Sequence, residues 1–246
     1  MLDSHPDWFK EALSVNKEQR RIEVEGNFIS YQHWGDETKP GMVLVHGSGS
    51  HSHWWDFIAP LLLDNFQISA IDLSGMGDSD HRDDYSPELY GKEILSVAED
   101  SGFFSVGEPI ICGHSMGGFM SAYAGLVSDK KLGGVIMIDS PIRPPTYDYS
   151  THVRSGPIRR IKTYPDRESI LERFRLTPEQ ECANEYLVRY IAEWSIKEAD
   201  NGYQWKFDDT IFDKLGFSHM QKNQAFELEC ELGIIYGTES NMMTEE

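Results

Sequence analysis

Cysteine is scarce and positive charge is in deficit. The 246 residues include three cysteines, Cys112, Cys182 and Cys230, far apart and never in a C-x-x-C pair. That spacing excludes a thiolate zinc site and a disulfide framework, and an odd thiol count fits a reducing, cytoplasmic setting. Lys and Arg number 22 against 41 Asp and Glu, a net charge of −19. Nucleic acids and anionic membranes need clustered cations, so neither is an expected partner. No apolar run approaches the ~20 residues of a membrane span. The N-terminus, Met1-Leu2-Asp3-Ser4-His5-Pro6-Asp7, lacks the basic and apolar regions of a signal peptide. Repeats and low-complexity tracts are also missing.

Apolar residues are plentiful, at 39% with 12% aromatic, so a sizeable core is expected. Short apolar runs bounded by Gly, Pro and Asp alternate with helical patterns. Arg21–Val24 and Phe28–His33 flank Glu25-Gly26-Asn27, a hairpin signal. Met42–Val45 is continuously apolar, as a strand covered on both faces would be. Gln67–Ile71, Ile110–Cys112, Val135–Ile138 and Leu232–Tyr236 read the same way. Helices are expected at Trp54–Leu63, Pro87–Glu99 and Met116–Val127, with Ser86 as an N-cap before Pro87. The alternation predicts an α/β fold with a mostly parallel, doubly wound sheet. The rhythm breaks at Ser140-Pro141-Ile142-Arg143-Pro144-Pro145, where prolines forbid a continuing helix or central strand. Residues 141–215 are therefore expected to form a helical cap inserted into a core of 1–140 and 216–246. Its main helix is expected to start near Pro178, behind a Thr177/Gln180 capping box, and to stop at Asn201-Gly202.

The strongest chemical signal is Gly113-His114-Ser115-Met116-Gly117, a G-x-S-x-G between an apolar strand and a helix. That context is the one a nucleophile elbow requires. Glycines at 113 and 117 allow a sharp turn, Ser115 stands above the sheet, and the helix N-terminus favours developing negative charge. A second signal is the apolar run ending in His46-Gly47-Ser48-Gly49. It fits the loop that supplies an oxyanion donor, here the Ser48 N–H paired with that of Met116.

These residues resemble the α/β-hydrolase superfamily, and the esterase-like serine hydrolases within it. The resemblance spans about residues 22–236 and includes Trp54-Trp55. It also includes Asp72-Leu73-Ser74-Gly75-Met76-Gly77-Asp78-Ser79, similar to the family's D-x-x-G-x-G-x-S loop. It implies the α/β-hydrolase fold, a small-molecule ester substrate, an acyl-enzyme intermediate and no cofactor. Serine at the elbow disfavours epoxide hydrolases and haloalkane dehalogenases, whose relatives use aspartate there. Carbon–carbon bond hydrolases, thioesterases and amidases remain open.

The resemblance also implies an acid and then a histidine after the serine. The acid has two candidates. Gly237-Thr238-Glu239-Ser240 puts a serine where most relatives carry aspartate, with Glu239 one residue out of register. Asp139, at the end of the preceding strand, matches the minority placement. The histidine is expected after one further strand, yet only ten residues follow Tyr236 and none is His. A chain lacking that segment would be catalytically impaired, and a non-catalytic homologue is the rival reading. His46, His114 and His219 are poor substitutes. His46, His51 and His53 have no nearby carboxylate or thiolate at ligand spacing, so no metal is expected. Arg154, Arg159, Arg160, Lys162 and Arg167 form a basic stretch, either a steering patch or a solvated face. Tyr147, Tyr149, Tyr186, Tyr190, Trp194 and Trp205 either line an acyl pocket or pack the cap onto the core.

Overall fold

The computed structural model describes residues 5–141, 161–177, 179–215 and 227–240. Helix α1 (Asp7–Ser14) precedes a hairpin of β1 (Glu18–Val24) and β2 (Asn27–Trp34). At its turn Glu25 has φ 49° and Gly26 φ 79°, the left-handed pair that a tight hairpin demands. Strands β3 (Gly41–Val45), β4 (Gln67–Ile71), β5 (Ile110–His114) and β6 (Gly134–Ile138) follow, with α2 (Pro87–Asp100), α3 (Phe103–Val106) and α4 (Met116–Val127) between them. The sheet order is β1-β2-β4-β3-β5-β6-β9, where β9 is Leu232–Ile235. The two pairings that involve β2 are antiparallel and the remaining four are parallel.

Side-chain alternation along the strands sorts the core. Val43 and Val45 join Tyr90, Ile94, Met120 and Ala124 beneath α2 and α4. Met42 and Leu44 turn the other way and pack with Trp34, Trp55, Ala59 and Ile68. Helix α2 starts as expected, with the Ser86 hydroxyl accepting the Leu89 N–H at 3.1 Å. Residues 54–63 do not form one helix. Two 3-10 turns, Ser52–Trp55 and Ala59–Leu62, replace it, because Pro60 has no N–H to return to an i−4 carbonyl.

Residues 161–215 hold α5 (Arg167–Leu171), α6 (Glu185–Trp194), β7 (Ile196–Ala199), β8 (Gly202–Trp205) and α7 (Ile211–Lys214). The antiparallel β7–β8 pair was not legible as a strand run. Helix α6 begins seven residues after Pro178, since Asn184 sits at φ −96°, ψ 66°, outside the helical region. It ends at Trp194, where the Ser195 hydroxyl turns back onto the Ile191 carbonyl at 2.8 Å. Asn201-Gly202 makes the β7–β8 turn instead of capping a helix. Gly202 has φ 137°, and a Cβ there would lie 1.9 Å from the Tyr164 carbonyl oxygen. Beyond the hairpin the chain returns to the core through backbone bonds from Gly77 N–H to the Lys206 carbonyl (2.9 Å) and from Asp208 N–H to the Gly75 carbonyl (2.7 Å).

Candidate active site

Ser115 stands between the end of β5 and the start of α4 with φ 53° and ψ −120°. A non-glycine residue in that region is strained, and the turn is held from three sides. The Ser115 N–H donates to the Ile138 carbonyl at 2.8 Å, and the Ser115 carbonyl accepts the Gly118 N–H at 3.0 Å. The same carbonyl accepts the Ser140 hydroxyl at 2.8 Å. A Cβ on Gly113 would lie 2.2 Å from the Gly117 carbonyl oxygen, and one on Gly117 would lie 2.3 Å from that of His46. Both contacts are with backbone, so the two glycines are what let strand, helix and the neighbouring β3 loop meet.

That β3 loop places Gly47 over Ser115: a Cβ built on it would be 3.5 Å from the Ser115 Cβ. The amides of Ser48 and Met116 have no hydrogen-bond partner among the described residues. Ser48 is exposed and Met116 begins α4, whose first-turn N–H groups have no carbonyl of their own to bond. The loop is braced by residues 72–79. The Asp72 carboxylate accepts the Ser52 N–H at 2.5 Å and the Asp78 N–H at 2.9 Å. The Gly49 N–H points at the Met76 sulfur, 3.2 Å away. The loop motif was evident in the sequence, but not this bracing by Asp72.

Asp139 lies one strand further on. His114 pairs with Ile138 across β5 and β6, so Ser115 and Asp139 leave the sheet side by side. Asp139 is also left-handed, at φ 49°, and its N–H donates to the Ile235 carbonyl at 2.7 Å. Its Oδ2 accepts the Ser240 hydroxyl at 2.8 Å. Its Oδ1 is buried with no hydrogen-bond partner among the described residues. Glu239 is exposed. The two loops that compete for the acid thus converge, with Ser240 serving Asp139.

The histidines divide clearly. His46 is 1% exposed. Its Nδ1 donates to the Gly47 carbonyl at 2.7 Å and its Nε2 accepts the Leu73 N–H at 3.1 Å, so both ring nitrogens are committed. Burial holds its pKa below the usual histidine value despite the nearby Asp72. His114 stacks on Trp54, and burial lowers its pKa too. His51 Nε2 lies between the Ser195 hydroxyl (2.9 Å) and the Ile191 carbonyl (3.2 Å). His53 Nδ1 meets Asp56 at 2.7 Å, and its ring stacks on Trp194 with centroids 3.6 Å apart. No described histidine bonds the Ser115 hydroxyl. His219 lies outside the described residues, as do Arg154, Arg159, Arg160, Tyr147 and Tyr149. Arg167 is half-exposed beside Glu193, at 3.6 Å.

Beside Gly47 and His114 opens a cavity of about 300 Å³. Its described walls include Trp54, Trp55, Phe57 and Ile58 from the 3-10 region, Leu187, Val188 and Ile191 from α6, and Ile138, Leu176 and Cys182. Of the aromatic residues expected either to line a pocket or to pack segment 141–215 onto the core, the four described ones do not line it. Tyr186 and Tyr190 pack on Phe9, Trp194 covers His53, and Trp205 meets Tyr164 and Phe174. The aliphatic face of the same helix does the lining, a stripe passed over in favour of its aromatic neighbours.

A model of the alpha/beta hydrolase family matches residues 42–214. The hydrolase YugF of Bacillus subtilis (strain 168) is 29% identical over 140 residues, 54% of this chain and 50% of its own length. A serine hydrolase-like protein of Danio rerio is 26% identical over 206 residues, 78% of this chain and 62% of its own. The chain thus spans about half the length of the curated relatives it matches. In fold it is similar to the thioesterase domain from the curacin biosynthetic pathway, with a TM-score of 0.71, 20% identity, and coverage of 94% of this chain and 86% of that one. With the parallel sheet, the strained elbow and the braced loop beside it, the family match over residues 42–214 makes this chain a member of the α/β-hydrolase family.

Proposed function

We propose that the chain is a serine hydrolase of carboxylic esters, with Ser115 as nucleophile and residues 141–215 as a cap over the site. The observation that carries this is the strained Ser115 beside two uncommitted amides. An ester carbonyl placed above Ser115 would put its oxygen near the N–H groups of Ser48 and Met116. As the hydroxyl attacks, negative charge grows on that oxygen, and fixed N–H dipoles stabilise it without reorganising. A base must take the serine proton, and the free Oδ1 of Asp139 would accept the N–H of an imidazole serving as that base. The intermediate collapses as the ester C–O bond breaks, the alcohol leaves with the proton the base had taken, and water then releases the acid from the acyl-enzyme by the same steps. A hydroxyl at the elbow, and a site lined mostly by apolar groups, support ester chemistry. A thioester would use the same atoms.

The test pairs hydrolysis of a short-chain aryl ester with labelling of Ser115 by a fluorophosphonate, in the chain and in Ser115→Ala. The expected result is a phosphonyl adduct on Ser115, with any turnover abolished in the variant. Equal turnover in both proteins, or no adduct and no turnover in the parent chain, would overturn the proposal.

A further inference from the structure

The cavity beside the nucleophile says what the substrate is made of. We infer that the site takes a neutral ester whose buried arm is an apolar group of roughly eight to twelve carbons, and that Val188 on α6 sets its length limit. The inference rests on the serine-hydrolase reading for its chemistry, but its geometry stands separately.

None of the described lining residues is Asp, Glu, Lys or Arg. The two imidazoles at the mouth, His46 and His114, both have pKa values pulled down by burial, so neither is charged at neutral pH. A carboxylate or ammonium on the arm would be stripped of water with no counter-charge to meet it, and an unpaired buried charge is strongly disfavoured. Of the basic stretch, the described members Lys162 and Arg167 do not line the cavity. Size follows from volume. An apolar cavity of ~150 Å³ accommodates one benzene, so about 300 Å³ holds roughly eight to twelve carbons, alkyl carbons being bulkier than aromatic ones. Trp54 and Trp55 lie at the core side, and on the cap side Leu187, Val188 and Ile191 of α6 stand with Leu176 and Cys182. Val188 is the most compact of the three on α6, so enlarging it subtracts directly from the space.

Alkyl methyl ketones from 2-butanone to 2-tetradecanone test this, since they bind without turning over. Quenching of Trp54 and Trp55 or calorimetry reads their affinity. Binding is expected to tighten about threefold to fourfold per added carbon, to level off near ten carbons, and to exceed that of decanoate or decylammonium at least tenfold. Val188→Trp should weaken 2-decanone at least tenfold while sparing 2-butanone, and Val188→Ala should move the plateau to longer ketones. No rise with chain length, equal binding of decanoate, or an unmoved plateau in both Val188 variants would overturn the inference. Should ketones fail while Ser115-dependent ester hydrolysis persists, the pocket assignment alone falls. Should ketones bind as described while Ser115 proves inert, the serine-hydrolase reading falls and the apolar selectivity stands.

Discussion

Asp139 has one carboxylate oxygen on Ser240, and the other has no partner among the described residues. A buried acceptor without a donor costs about 1–3 kcal/mol, a cost removed when an imidazole N–H fills the position. The Ser240 hydroxyl matters because it fixes which oxygen is presented. Ser240→Ala should let the carboxylate rotate and slow fluorophosphonate labelling of Ser115 about fivefold, the equivalent of a ~1 kcal/mol hydrogen bond. Asp139→Asn should slow it further. Labelling at the parent rate in both variants would place the acid elsewhere. The elbow was readable from sequence because its glycine spacing is local and sterically forced. The Ser240 contact was not, since it joins residues 101 positions apart and depends on the parallel register of β6 and β9. Val188 was hidden for a related reason: helical spacing identifies an apolar face, but not which stripe of it meets a cavity.

The loop after β4 and the segment returning from β8 are fastened together at Asp208. Its carboxylate accepts from Tyr85 Oη at 2.7 Å, Thr210 N–H at 2.8 Å and Lys214 Nζ at 3.3 Å. Partial burial opposes its ionisation, but the Thr210 and Tyr85 hydrogen bonds and the Lys214 charge outweigh that and bring the pKa down to about 2. A carboxyl with a depressed folded pKa stabilises the fold above its unfolded value of ~3.9 and loses that contribution as pH falls towards 2. Asp208→Asn should lower stability at pH 7 by about 1–3 kcal/mol, read as a urea midpoint, and should flatten the acid limb between pH 4 and 2. An unchanged midpoint would show that the backbone bonds from Gly77 and Asp208 suffice. Central strands were legible from apolar runs. The β7–β8 pair was not, because Lys197, Glu198 and Gln204 give it no run to notice, and its stability comes from packing with Ile170, Leu171 and Tyr164.

Three buried histidines, on different parts of the fold, favour the neutral form because burial strips their solvation. His33, His46 and His51 are each at most 4% exposed, and loss of solvation pulls every one of their pKa values below the ordinary histidine range. The unfolded chain takes up protons on these rings from about pH 6.5 downwards while the folded chain does not. Folding stability should therefore be complete above pH 6.5 and fall as pH drops towards 5. Acidification also neutralises part of a −19 net charge, which relieves repulsion and works the other way. The histidine effect is expected to dominate, giving urea midpoints that decrease from pH 7 to pH 5. A midpoint that rises over that interval would show charge relief to be the larger effect.

The left-handed backbone at Ser115 and Asp139 has a consequence for redesign. Each residue sits where glycine would rest without penalty, and such conformations cost on the order of 1–3 kcal/mol apiece. A screen that rewards thermal tolerance alone would favour glycine at both positions, the two places where the proposed chemistry is seated. Selection for robustness and selection for turnover therefore pull in opposite directions at adjacent points on one sheet edge. Any stabilised descendant of this scaffold has to find its gains elsewhere.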